Sequence, residues 1–137
     1  LRPNPGAAEL LAGAHQHGIY TLLVSGGFNF FTEKLRQQFG LKQTQANTLE
    51  IIDNKLTGKV LGNIVDGFAK ASYLDEACTN LGCTKANSMT MGDVANDLMM
   101  MNGSAISVAY RAKPVVKEKA DAAFDYVGLD AALLLIA

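Results

Sequence analysis

Three polar residues stand close together in the stretch SMTMGDVANDLMM, residues 88–100. Asp93, Asn96 and Asp97 follow an apolar run within five positions, in a chain of which only 18% is charged. Mg²⁺ prefers carboxylate oxygens and keeps several of its waters, so one or two aspartates at the end of a strand suffice to bind it. The alternative is that Asp93 or Asn96 only caps the helix that follows.

A second group lies in LLVSGGF, residues 22–28, where another apolar run ends. Ser25 stands at the end of that run, and Gly26 and Gly27 leave backbone N–H groups open to an anion. Together with the N-terminus of the following helix, these residues predict a phosphate-binding turn. The alternative is an ordinary tight turn between a strand and a helix, since glycine-rich turns are common.

Lys70, in DGFAKASYLDEA, is the residue that would complete such a site, because its ammonium group can neutralise charge on a phosphoryl group. The alternative is a solvated lysine on the surface of a helix. A phosphate-binding turn after one strand and an acidic group after another suit phosphoryl transfer. That reaction depends on a metal and on donors around the phosphoryl oxygens.

The remaining residues and the composition argue against several other classes. The net charge of −1 does not favour nucleic acid or a membrane surface as a partner. No apolar run approaches the roughly 18 to 20 residues of a membrane span. Cys78 and Cys83 match neither a C-x-x-C redox pair nor a zinc knuckle, and predict two reduced thiols in a cytoplasmic protein. His15 and His17 would point to different faces of a helix, so they form no metal pair.

The elements that must position these residues alternate along the chain. Apolar spacing and turn residues predict helices at residues 5–18, 30–39, 66–81, 113–120 and 128–137. Strands are predicted at residues 19–27, 88–91, 104–110 and 122–127, with a hairpin over 46–62. The first of these strands is a continuous apolar run, which is typical of a strand buried on both faces. We expect Asn29 to cap the second helix and Gly40 to end it. This alternation predicts an α/β fold around a mainly parallel sheet, in one domain or part of one, with ligands beyond the carboxyl ends of the strands.

Five motifs, taken together and in order, resemble the phosphoserine phosphatases of the haloacid dehalogenase superfamily. They are LLVSGGF, ANTLEIIDNKLTGKVLG, AKASYLDEA, GDVANDLMM and AYRAKPVVKEKAD, and they cover essentially the whole chain. The resemblance implies a Rossmann-like core that hydrolyses O-phospho-L-serine to serine and phosphate with Mg²⁺, in serine biosynthesis in the cytoplasm. It implies that Ser25 hydrogen-bonds a phosphate oxygen, with the backbone N–H of Gly26 beside it.

The resemblance also implies roles for the residues of the other two groups. Lys70 would hold both the phosphate and the nucleophile, and Asp93 would coordinate Mg²⁺. Asp97 would orient that coordination shell or bind its waters, and Asn96 would contact the phosphate side of the substrate.

One departure from the family pattern concerns the nucleophile. The family carries its nucleophile and general acid in an Asp-x-Asp-x-Thr motif after the first strand, but the first aspartate here is Asp53, in a hairpin turn. The chain also opens with Leu1 rather than Met, so we interpret residues 1–137 as an incomplete core domain that lacks the first strand and the helical cap. Such a chain is expected to be inactive by itself. Its unpaired strand edges predict that it either rearranges to close the gap left by the missing strand or associates with another chain.

The other departure is Val94, where the resembling motif usually has glycine. A positive φ at this position would strain a β-branched residue by about 1 to 3 kcal/mol, whereas a negative φ would only add bulk near the metal loop. Two alternatives to a phosphoserine phosphatase core stay open. One is a non-catalytic, truncated module, and the other is a phosphatase for another small phosphomonoester.

Overall fold

The computed structural model of the chain describes residues 4–62 and 64–136. The helices are α1 Ala7–Gln16, α2 Asn29–Phe39, α3 Gly67–Asn80, α4 Leu98–Met101, α5 Pro114–Lys119 and α6 Leu133–Ile136. The strands are β1 Leu22–Phe28, β2 Gln43–Ile52, β3 Lys55–Leu61, β4 Met89–Gly92, β5 Ile106–Tyr110 and β6 Ala122–Phe124. Short 3₁₀ turns at Lys85–Asn87, Ala95–Asp97 and Leu129–Ala132 precede β4, α4 and α6. Each predicted helix and strand is present, with ends that differ by a few residues.

The described chain forms two compact units, and the first comprises Leu11–Asp66. Its sheet has the strand order β1-β2-β3, with β1 and β2 parallel and β2 and β3 antiparallel. Asp53 and Asn54 join β2 to β3 with φ angles of 52° and 62°. A two-residue hairpin turn needs this left-handed conformation at both positions to follow the twist of the strands, so the predicted hairpin is confirmed.

The prediction that β1 is buried on both faces is wrong, and the strand continues beyond the apolar run that ends at Ser25. Among the described strands β1 pairs only with β2, and as an edge strand it is half-buried, with Gly26 and Gly27 exposed. Regular pairing runs to Val24, and the next pair is Phe28 with Asn47, so three residues of β1 oppose one of β2. Such a bulge lets the strand continue while its hydrogen-bond ladder is interrupted at Ser25.

The start of α2 also differs from the prediction. Asn29 is the first residue of the helix, and the N-cap is Phe28, which is extended and makes no side-chain capping bond. Asn29 therefore does not cap this helix. Gly40 ends it as predicted, with a φ of 67° that glycine adopts without the steric cost of a Cβ.

The second unit comprises the described residues before Leu11 and after Asp66. Its sheet has the order β4-β5-β6, and both pairings are parallel. The central strand β5 is the buried one: Val108 and Ala109 have no exposed surface. Ala109 packs with Met101 of α4 and Val116 of α5, so the core of this unit fixes the helices that follow β4 and β5.

The predicted α/β class with mainly parallel strands is confirmed, since three of the four strand pairings are parallel. The strands form two three-stranded sheets where one was predicted, because β1 and β4 each have a single strand partner within residues 4–62 and 64–136. That residues 1–137 form one incomplete domain stays a prediction. No helix in the described ranges is long and apolar enough to cross a membrane.

We predict that the chain self-associates, because β1 and β4 are edge strands whose free N–H and C=O groups can pair with another chain. Light scattering at about 50 μM, where exposed edges promote association, should give at least the mass of two chains. Val24→Lys places a charge on β1 and should shift the mass toward a single chain. Gln38→Lys adds the same charge on the exposed side of α2 and should not. A monodisperse monomer of the unsubstituted chain contradicts the prediction.

Candidate active site

The polar residues after β4 form one hydrogen-bonded turn. β4 ends at Gly92, and the 3₁₀ turn Ala95–Asp97 leads directly into α4. The Oδ2 atom of Asp97 accepts the backbone N–H groups of Asp93 at 3.1 Å and of Val94 at 3.3 Å. A carboxylate that reaches back to N–H groups at a helix start satisfies donors that have no partner within the helix. Capping is thus performed by Asp97, not by Asp93 or Asn96.

Gly92 allows the Asp97 carboxylate to lie against the end of β4. A Cβ atom at position 92 would stand 2.5 Å from Asp97 Cβ and 2.8 Å from Oδ2. These separations are below any ordinary contact distance, so any other residue would displace the carboxylate. The requirement for glycine arises from this close approach.

Lys70 and Asp97 form a buried ion pair. Nζ of Lys70 lies 2.8 Å from Oδ1 of Asp97, and each residue exposes only 6% of its surface. Lys70 Nζ also donates to Oδ1 of Asn96 at 3.1 Å. A lysine this deeply buried is rare without a charged partner, so the alternative of a solvated helix lysine is excluded.

Gly67, the first residue of α3, brings that helix close enough for Lys70 to reach the turn. A Cβ at position 67 would lie 2.7 Å from the backbone oxygen of Asn96. The ion pair therefore depends on two glycines. Gly67 is in α3, which carries Lys70, and Gly92 ends β4, just before the turn that carries Asp97. Nothing in the sequence around Gly67 or Gly92 distinguished them from glycines of ordinary turns.

Asp93 is placed differently from Asp97. It is exposed, and its side chain takes part in none of the hydrogen bonds or ion pairs between side chains of the described residues. Its backbone oxygen accepts the N–H of Lys113 at 2.9 Å, which anchors the strand end. No group of three or more His, Cys, Asp or Glu side chains in residues 4–62 and 64–136 is arranged to hold a metal. Asp93 therefore offers one carboxylate ligand, and Asp97 has both oxygens already engaged.

Val94 fits its position without strain. Its φ is −125° and its ψ 164°, which is ordinary extended backbone. The strain that a positive φ would have caused is absent, and valine adds only its bulk to this turn.

Ser25 and Gly26 belong to the first unit, where Asn47 holds the bulge. The Oγ atom of Ser25 accepts the N–H of Gly27 at 2.9 Å. The buried side chain of Asn47 donates to the Gly26 oxygen at 2.8 Å and accepts the N–H of Val65 at 2.7 Å. Asn47 thus ties the end of β1 to the segment before α3, a role that its place in the hairpin motif did not indicate.

The structure thus brings together four of the six residues that the sequence singled out. Lys70, Asn96 and Asp97 are linked by side-chain bonds, and Asp93 is linked to Asp97 through its backbone N–H. Since Asp97 uses its oxygens for Lys70 and for the turn, it is a positioning residue in this arrangement.

Comparison with known proteins identifies the family. Residues 1–102 match the model of the haloacid dehalogenase-like hydrolases. A phosphoserine phosphatase of Polaromonas sp. strain JS666 is 46% identical over 140 residues, which span 99% of this chain and 59% of the relative. The unliganded crystal structure of a probable phosphoserine phosphatase from Vibrio cholerae has a TM-score of 0.95 at 39% identity, covering 99% of this chain and 42% of that one.

A solved phospho-aspartyl intermediate analogue of phosphoserine phosphatase has a TM-score of 0.92 at 33% identity, over 99% of this chain and 65% of that one. The chain thus spans about half the length of the relatives it matches. The family match extends over most of the chain and includes Lys70 and the turn from Asp93 to Asp97. This chain belongs to the haloacid dehalogenase-like hydrolase family.

Proposed function

We propose that the chain is the core portion of a Mg²⁺-dependent phosphoserine phosphatase, which hydrolyses O-phospho-L-serine to serine and phosphate. The observation that carries the proposal is the buried Lys70–Asp97 pair with Asn96 at the end of a parallel strand. Phosphoryl transfer relies on fixed positive charge and fixed donors around the phosphoryl oxygens, and this arrangement supplies both. The names of the relatives at 33–46% identity support phosphoserine as the substrate.

Lys70 would hold the phosphoryl group through the donor that remains. An ammonium group has three N–H donors. Two of them go to Asp97 and Asn96, and the third has no acceptor among the described side chains. Asp97 fixes the direction of that third donor. The turn holds the Asp97 carboxylate in place, and the carboxylate in turn holds the ammonium group of Lys70. Asn96 Oδ1 accepts from Lys70, which leaves its amide N–H groups for a phosphate oxygen.

Asp93 would be a ligand of Mg²⁺. Its exposed carboxylate, at the end of β4 and without a competing side-chain partner among the described residues, suits a hard cation that keeps most of its waters. When bound, Mg²⁺ supplies positive charge that polarises a phosphoryl oxygen. Mg²⁺ is usually held by one or two carboxylates together with phosphate oxygens and waters, so we infer that its other ligands would be the substrate phosphate, waters and any carboxylate from outside the described residues.

Ser25 and Gly26 would bind a phosphate oxygen through the hydroxyl and a backbone N–H. The bulge at Ser25 removes these residues from the regular ladder with β2. The Ser25 oxygen already accepts from Gly27, so its hydroxyl hydrogen is the group that can donate.

The covalent step would use a carboxylate from outside these residues. A phospho-aspartyl intermediate needs an aspartate nucleophile, and the chain contains no Asp-x-Asp-x-Thr. We therefore propose that the 137 residues alone are inactive. The cytoplasmic location and the part in serine biosynthesis likewise stay predictions.

A chimera tests this function. In the Polaromonas phosphoserine phosphatase, the segment that matches this chain is replaced by residues 1–137. The chimera should release phosphate from phosphoserine, and the 137-residue chain alone should not. Lys70→Ala in the chimera should lower kcat/KM by about 10²- to 10³-fold, as expected for removing one charged donor at the phosphoryl group. Lys34→Ala, an exposed lysine of α2, is the matched control and should leave turnover unchanged.

Two results contradict the proposal. One is a chimera that is folded like its parent but inactive, which would favour a non-catalytic module. The other is a chimera that prefers a different phosphomonoester, such as phosphothreonine, although the remainder of the protein comes from the phosphoserine enzyme. Magnesium-dependent turnover by the chain alone would overturn the inferred need for an outside nucleophile.

The metal assignment gives a separate prediction. Asp93→Asn in the chimera removes the charge of the proposed ligand, so the Mg²⁺ concentration for half-maximal rate should rise about 10-fold or more. Asp75→Asn, an exposed carboxylate of α3, should not change it. An unchanged Mg²⁺ requirement in Asp93→Asn would exclude Asp93 as a ligand.

A further inference from the structure

The C-terminal end of α3 places two cysteines together. The N–H of Cys83 bonds to the oxygen of Cys78 at 2.9 Å, and the N–H of Gly82 bonds to the oxygen of Thr79 at 3.1 Å. Gly82 has a φ of 74°. These two bonds around a left-handed glycine define a Schellman motif, in which the side chains of the first and last residues frequently contact each other. Here those two residues are Cys78 and Cys83.

The two thiols differ in exposure. Cys78 is buried and Cys83 is half-buried, and both are free. Burial raises the pKa of Cys78, and the hydrogen bond and the charge of Cys83 raise it further. Asp75 also raises the pKa of Cys78, whereas Lys85 lowers it. Cys83 is therefore the thiol that meets solvent, and Cys78 is the protonated partner behind it.

We propose that Cys78 and Cys83 form a dithiol oxidation site, which a hydroperoxide converts to an intramolecular disulfide. The Cys83 thiolate attacks the peroxide, one oxygen passes to sulfur, and a proton and the other oxygen leave as an alcohol or water. The Cys78 sulfur then attacks the Cys83 sulfenic acid, the S–O bond breaks, and water departs with the thiol proton. The pair loses two protons and two electrons, which reduce the peroxide to an alcohol or water and one further water.

The sequence spacing alone predicted two unrelated reduced thiols, because C-x₄-C matches no common redox motif. The structure changes this interpretation, since the helix end folds the four intervening residues back on themselves. The disulfide would then close within this one turn. Because a thiolate is the better nucleophile, closure should accelerate as the pH rises toward the raised pKa of Cys78.

Mass spectrometry of the unsubstituted chain tests the proposal. Trypsin cleavage after Lys70 and Lys85 leaves both cysteines in one peptide, residues 71–85. After treatment with hydrogen peroxide, that peptide should lose about 2 Da, resist alkylation, and recover its mass and both alkylation sites with dithiothreitol. Cys83→Ser should instead leave Cys78 as a free thiol that alkylates slowly, since it is buried.

Three results overturn the proposal. The first is oxidation that stops at sulfinic acid on Cys83 with Cys78 still free. The second is a disulfide that forms only between chains. The third is a mass loss of the same size and rate in the unfolded chain in urea, which would show that the Schellman motif contributes nothing. The first two outcomes are measured on the unsubstituted protein, so they do not depend on whether a variant folds.

Discussion

The buried ion pair between Lys70 and Asp97 is the interaction on which the site depends. Taking an ammonium and a carboxylate out of water costs several kcal/mol per ion, and only close approach with further hydrogen bonds offsets that cost. Here the two groups meet at 2.8 Å, Asn96 accepts a second bond from Lys70, and two backbone N–H groups occupy the other Asp97 oxygen. The paired residues are 27 positions apart in the chain. The pair can therefore form only where the start of α3 and the end of β4 are held together. This also fixes Asn96 and the direction of the Lys70 donor that has no acceptor among the described side chains.

The same constraint separates the roles of the two aspartates. Both carboxylate oxygens of Asp97 are hydrogen-bonded, one to Lys70 and the other to the backbone N–H groups of the turn, so Asp97 holds these groups in place. Because Asp97 caps the turn, Asp93 need not do so, and its carboxylate remains exposed at the strand end. Of the two alternatives left open for this stretch, capping is performed by Asp97, and the exposed carboxylate of Asp93 is the one that we propose as the Mg²⁺ ligand. The division also accounts for Gly92 and Gly67, since a Cβ at either would separate the elements that carry the charges.

The features of the fold that have a local cause could be predicted from the sequence. Asp53 and Asn54 adopt the left-handed turn that their types favour, and Gly40 ends α2 because glycine tolerates its φ. The need for glycine at 67 and 92 could not be predicted, since it arises from close contacts in three dimensions: Gly67 with the distant Asn96, and Gly92 with the Asp97 carboxylate, which folds back onto the strand end. Asn47 was missed for the same reason, as its partners Gly26 and Val65 lie on either side of the hairpin. The burial of β1 was overestimated because an apolar run does not reveal whether a strand is central or at an edge.

A double-mutant cycle on Lys70 and Asp97, measured by urea unfolding, tests the central claim most directly. Lys70→Met should cost about 3 to 5 kcal/mol because it leaves a buried carboxylate unpaired. Adding Asp97→Asn should recover part of that loss, with a coupling energy of about 2 kcal/mol or more. The pair of Lys117 and Asp125, with side chains 39% and 30% exposed, is the matched control. Solvent screening should hold its coupling to about 1 kcal/mol or less. A Lys70–Asp97 coupling no larger than that of the control pair would contradict the account.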